Sequence, residues 1–120
     1  METITKVKEI DNEDWLGYDI MTTKQIISVY IENCQLCCES YDTMLLPTED
    51  IIGLEVKSVK WGTRILPQYL NLLNLDIDYA VVNIETDKIP IQVVAWNDHN
   101  GYYPHNVYVE WEGYSDTQKI

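Results

Sequence analysis

Three cysteines crowd into the run Cys34, Gln35, Leu36, Cys37, Cys38, Glu39, and both histidines fall in one later loop, Asn97, Asp98, His99, Asn100, Gly101, Tyr102, Tyr103, Pro104, His105. Thiolate and imidazole are the ligands of tetrahedral zinc, so Cys34 and Cys37 or Cys38 with His99 and His105 form one candidate metal set. The pairs do not sit on the short turns typical of zinc ribbons and fingers. The same groups also compose a nucleophilic set: Cys37 or Cys38 as thiolate, His99 or His105 as base, Asp98 or Glu39 as the orienting carboxylate. Such sets are recognised in space, and composition does not assemble one. The simpler reading is preferred: buried cysteines acting as small hydrophobes, histidines hydrogen-bonded within their loop, and no resident metal or cofactor. A ligand pocket built from Cys37, Cys38, Glu39, His99, Asn100, Tyr102, Tyr103 and His105 is the alternative. Both runs lie between expected strands, and in a domain this small they are expected to touch. Asn100 and Gly101 mark a tight turn.

The sequence carries no phosphate loop, dinucleotide fingerprint, metalloprotease helix or serine elbow, which favours a binding protein over an enzyme. Carboxylates recur two apart at Asp76 and Asp78, Glu85 and Asp87, and Glu110 and Glu112. On a strand each such pair shares a face. Tyr108, Glu110, Glu112, Tyr114 and Asp116 are therefore expected to form an aromatic and anionic ladder able to meet a basic surface, since aromatics anchor interfaces at little conformational cost.

The elements that must position these groups follow from hydrophobic periodicity. Gln25 to Glu32 alternates Ile27, Val29 and Ile31 against Ile26, Ser28 and Tyr30, a strand pattern. Leu54 to Trp61 alternates likewise. Asn106 to Glu112 places Val107, Val109 and Trp111 on one face. Tyr79 to Glu85 and Ile89 to Asn97, joined over Thr86, Asp87 and Lys88, predict a hairpin. Pro90 argues for an edge or end position because it cannot donate to a ladder. Ile4, Val7 and Ile10 are spaced by three and predict a helical turn, and Glu9 to Thr23, broken by Gly17, reads as an acidic connection. Pro47 to Asp50 resembles a helix start that ends at Gly53, and Arg64 to Leu75 a short helix or packed loop. Trp96 and Trp111 end apolar rows and are expected in the core. The resulting class is α+β and strand-dominated: one domain over residues 1–120, with an antiparallel sheet of about five strands and one or two short helices.

At 120 residues with 46% hydrophobic content, the chain can bury a core without disulfides. Three closely spaced cysteines make a poor disulfide framework, and no signal peptide or membrane anchor is visible, so a cytoplasmic location is expected. The net charge of −12 repels phosphate backbones and anionic lipids, which disfavours direct binding to nucleic acid or membrane and favours a partner with a basic surface.

The C-C-E of Cys37 to Glu39, the I-I-G-L-E-V of Ile51 to Val56 and the N-x-H-N-G-Y-Y-x-H of Asn97 to His105 resemble an uncharacterised family of small proteins from bacteriophages and their bacterial hosts. The similarity spans about Gly17 to Val109. Leu66 to Leu75 resembles an insertion relative to the pattern, and Cys34 lies outside it, which weakens the zinc set. The resemblance implies a phage setting, in which small acidic proteins often inhibit host defence. The expected partner is then a host nuclease, such as a CRISPR effector, whose nucleic-acid channel is blocked by imitation of phosphate charge.

Overall fold

In a computed structural model, which describes residues 1–72, 77–99 and 103–120, the described residues form nine antiparallel strands in two sheets. The first sheet runs β1 (Ile4–Asp11), β2 (Trp15–Thr22), β3 (Ile26–Glu32), β8 (Asn106–Trp111), β9 (Tyr114–Lys119). The second runs β4 (Ser40–Leu46), β7 (Pro90–Asp98), β6 (Asp78–Thr86), β5 (Val56–Trp61). A 3₁₀ turn, Pro67–Leu72, is the only helical element among the described residues, so the fold is largely β rather than α+β. No described helix is long and apolar enough to cross a membrane.

Alternation made the core. Ile27, Val29 and Ile31 of β3, Ile20 of β2 and Val107, Val109 and Trp111 of β8 pack against Ala80, Val82 and Ile84 of β6 and Ile91, Val93 and Ala95 of β7. The other face of the β6–β7 hairpin is also buried: Val81 and Val94, with Leu46, lie beneath Ile65 and Tyr69. A strand covered on both faces reads as a continuous apolar run. Gln92 fixes that cover, accepting from the Leu66 amide at 2.9 Å and donating to the Arg64 carbonyl at 3.0 Å.

Strand β3, the β6–β7 hairpin, β5, β8 and the short helical turn within Arg64 to Leu75 match expectation, and other elements correct it. Ile4 to Ile10 is a strand, not a helical turn; Ile4 alone is fully buried, and Lys6 and Lys8 alternate with Val7 and Glu9. The acidic stretch to Thr23 contains β2, paired with both β1 and β3. Pro47 to Gly53 forms no helix; the Leu46–Pro47 bond is cis and Gly53 sits in a turn at φ 91°. Pro90 begins a strand lying between β4 and β6, so it marks an end and not an edge. Trp96 is half-buried, because it lies on the Val94 face of β7 but toward the strand's end, outside the cluster under Ile65 and Tyr69, whereas Trp111 is enclosed. Leu73, Leu75 and Asp76 lie outside the described residues.

Gly17 is a strand residue, not a turn. A Cβ there would sit 2.0 Å from the Val29 carbonyl oxygen and 2.9 Å from the Tyr30 ring, so only glycine lets β2 and β3 close with that ring across it. Gly17→Ala is expected to lower unfolding free energy by about 3 kcal/mol, the cost of overpacking against backbone that cannot move aside. Trp111→Ala, which empties a site packed edge-on against Trp61, is expected to cost about 3–5 kcal/mol. Urea denaturation of both variants measures the two losses; a change within error for Trp111→Ala would contradict the core assignment of β8.

Candidate functional site

Two places assemble the chemistry-bearing residues. The first is where the chain crosses between sheets, from β3 to β4 through residues 33–39 and from β7 to β8 through residues 99–105. Glu39 and His105 meet there, Oε2 to Nε2 at 2.6 Å, with both side chains buried. Glu39 also accepts from the Cys37 amide at 2.8 Å and the Leu36 amide at 3.0 Å. His105 Nδ1 lies 2.7 Å from the Glu32 carbonyl oxygen, which can only accept. Both neighbours of the ring, a carbonyl and a carboxylate, are acceptors, so both ring nitrogens are placed to donate. Tyr41 lies over it, ring centroids 4.2 Å apart. Burial pushes the Glu39 carboxyl up, but the His105 hydrogen bond and the amides of Leu36, Cys37 and Glu39 outweigh it and bring the pKa down to about 2.

His99 is held differently. Its Nε2 lies 3.1 Å from Asp78 Oδ2, and its Nδ1 accepts from the Tyr103 amide at 3.4 Å. Asn97 donates to the Tyr103 carbonyl at 2.9 Å and the Ile120 carbonyl at 3.1 Å, closing the loop onto the chain's last residue. Glu39 of the cysteine run and His105 of the histidine run are in hydrogen-bond contact, so the two runs do touch. Asn100 and Tyr102 lie outside the described residues.

These distances revise the readings made from spacing. Cys34, Cys37 and Cys38 are free and exposed, not buried hydrophobes, because the bend at Cys37 and Cys38 lifts the loop off the core. Both ring nitrogens of His105 are already engaged, and among the described residues no group of three or more cysteine, histidine or acidic side chains is placed to hold a metal ion. Glu39 is the anchor of the loop rather than the orienting member of a triad.

The second place is the outer face of the five-stranded sheet. Trp15, Tyr30 and Tyr108 cluster there with ring centroids 6.0, 6.0 and 6.2 Å apart. The Tyr30 hydroxyl donates to Asp19, which also accepts from Ser28 at 2.8 Å, and the Tyr108 hydroxyl donates to Glu110. Burial and the Asp19 bond push Tyr30 up to about 12, so its proton stays in place at neutral pH. The expected β8–β9 ladder is divided. Glu112 and Gly113 form a two-residue turn, φ 48° and 75°, of the type that reverses a hairpin without adding a residue to either strand. Tyr114 therefore pairs with Trp111 and points inward, as does Asp116, and both are bonded to the Trp61 indole, at 3.1 and 3.2 Å. Only Tyr108 and Glu110 of that set belong to the outer face. Trp15, Asp19 and Tyr30 were missed; the signal was present in the alternate residues of β3, where Ser28 and Tyr30 oppose the apolar row.

A groove of about 490 Å³ lies apart from both places, with Val7, Tyr18, Leu45 and Ile51 as its floor and Glu9, Glu49 and Asp50 among its lining. The chain matches no protein-family model, and no curated protein or solved structure matches it.

The Glu39 carboxyl sits below its ordinary value of 4.5 in the folded chain, so its contribution to stability is complete above about pH 4.5 and is lost as pH falls toward 2. Chemical denaturation across that window is expected to show a steeper acid loss in the native chain than in Glu39→Gln. Equal slopes would mean that the pair is not ionised as its hydrogen bonds require.

Proposed function

We propose that this is a binding protein that captures a basic partner surface on the outer face of its five-stranded sheet. The observation that carries the reading is the uncovered cluster of Trp15, Tyr30 and Tyr108 with Asp19 and Glu110 fixed beside it by tyrosine hydroxyls. An arginine guanidinium stacks on aromatic faces and pairs with carboxylates in one plane. Carboxylates already held in one rotamer lose less entropy when it arrives. Lys8 of β1 and Lys119 of β9 project from the same face at either side, which confines a cationic partner to the three central strands. The net charge of −12 adds a long-range field that speeds encounter and is screened by salt.

The resemblance of the Cys37 and Asn97 motifs to phage proteins supports a finer reading: the partner is a host defence nuclease, such as a CRISPR effector, and its basic nucleic-acid surface is the one occupied. Carboxylates spaced along a rigid sheet then take the place of phosphates. Immobilised protein incubated with host extract tests both levels. Capture is expected to weaken with added salt and to be displaced by heparin, a polyanion competing for the same basic surface. Trp15→Ala combined with Glu110→Lys is expected to lower affinity for the captured protein at least thirtyfold, which corresponds to about 2 kcal/mol, the size of one interface hot spot. Charge reversal at Glu85, on the other sheet, should leave it unchanged. Equal affinity of the double variant and the native chain would exclude this face.

A further inference from the structure

Successive residues of an extended chain point to opposite sides, so adjacent cysteines ordinarily hold their sulfurs apart. The bend at Cys37 and Cys38 cancels that divergence: the two Sγ atoms lie 3.1 Å apart, and both residues are exposed. The arrangement is held from behind. Glu39, fixed by His105, binds the Cys37 and Leu36 amides, and Gln35 donates to the Cys37 carbonyl at 3.2 Å and the Glu39 carbonyl at 2.5 Å. The result is a pair of soft donors on a braced loop.

Bite distance selects what such a pair can hold. A tetrahedral zinc ion with Zn–S bonds near 2.3 Å keeps its sulfurs about 3.8 Å apart, and a linear two-coordinate ion keeps them farther still. A pyramidal trivalent centre, with its S–X–S angle close to a right angle, accepts a shorter span. Soft thiolate donors favour such a centre over oxygen-seeking cations. We infer that Cys37 and Cys38 form a bidentate site for trivalent arsenic or a similar thiophilic trivalent element, independent of the partner-binding face. For an organoarsenical, the two thiols lose their protons to the oxide oxygen, water leaves, two As–S bonds replace the bonds to oxygen, and arsenic stays trivalent. The carbon substituent is the third arm of the pyramid, so Cys34 and the histidines are not required.

Titration of the full chain, pre-reduced with a phosphine, with phenylarsine oxide tests the site. One equivalent is expected to bind per chain, removing two of the three free thiols, to survive excess monothiol and to be released by a dithiol. Cys37→Ser and Cys38→Ser are each expected to lose monothiol-resistant binding by at least a hundredfold, while Cys34→Ser retains it. The native chain is also expected to bind at least tenfold more tightly than the same chain unfolded in urea, because the fold has already aligned the sulfurs. Retention in Cys37→Ser or Cys38→Ser, loss in Cys34→Ser, or equal affinity in urea would each overturn the assignment.

Discussion

The buried ion pair between Glu39 and His105 joins the two places where the chain passes from one sheet to the other. Residues 33–39 leave β3 for β4, and residues 99–105 leave β7 for β8; the pair clamps the two crossings together. Burying either charge alone is costly, so each crossing depends on the other being in place. The clamp extends outward through backbone: His105 and Ile120 exchange hydrogen bonds at 2.8 and 3.0 Å, and Glu32 at the end of β3 receives the imidazole. The exposed cysteines stand on the first of these crossings.

What was legible in the sequence divides along physical lines. Strands that bury one clean row, such as β3 with Ile27, Val29 and Ile31 or β8 with Val107, Val109 and Trp111, announce themselves by period two. Strand β1 does not, because it buries little beyond Ile4, and its partly buried Val7 and Ile10 continue a spacing of three that imitates a helix. Strand β2 was hidden by acids and by Gly17, whose role is steric accommodation of the Tyr30 ring across the ladder and is invisible without the partner strand. Strand β9 is exposed throughout and has no apolar row; its only mark is the Glu-Gly turn after Trp111.

The candidate sites were legible to the same degree. The cysteine and histidine runs were expected to meet, and Glu39 and His105 do meet; which groups would pair, and that His105 would be committed on both nitrogens, depended on distances that spacing does not carry. The tyrosine and carboxylate ladder was sought along β8 and β9, whereas the turn at Glu112 and Gly113 turned half of it inward to hold the Trp61 indole. Its aromatic component comes instead from across the sheet. A face built from β2, β3 and β8 uses residues about 15, 30 and 108 positions along the chain, and only strand order brings them together.

The polar character of β9 has a consequence for self-association. Its outward row is Ser115, Thr117 and Lys119, and its inward row beyond Tyr114 is Asp116 and Gln118, all exposed. A second copy aligning along that strand would satisfy main-chain donors and acceptors but bury no hydrocarbon, and each copy would bring its own negative field. At the opposite margin, β1 carries Lys6, Lys8, Glu9 and Asp11 and a register irregularity between Ile4 and Lys6. Both margins of the larger sheet thus discourage runaway strand addition, which lets the chain keep an uncovered aromatic face without polymerising through its borders.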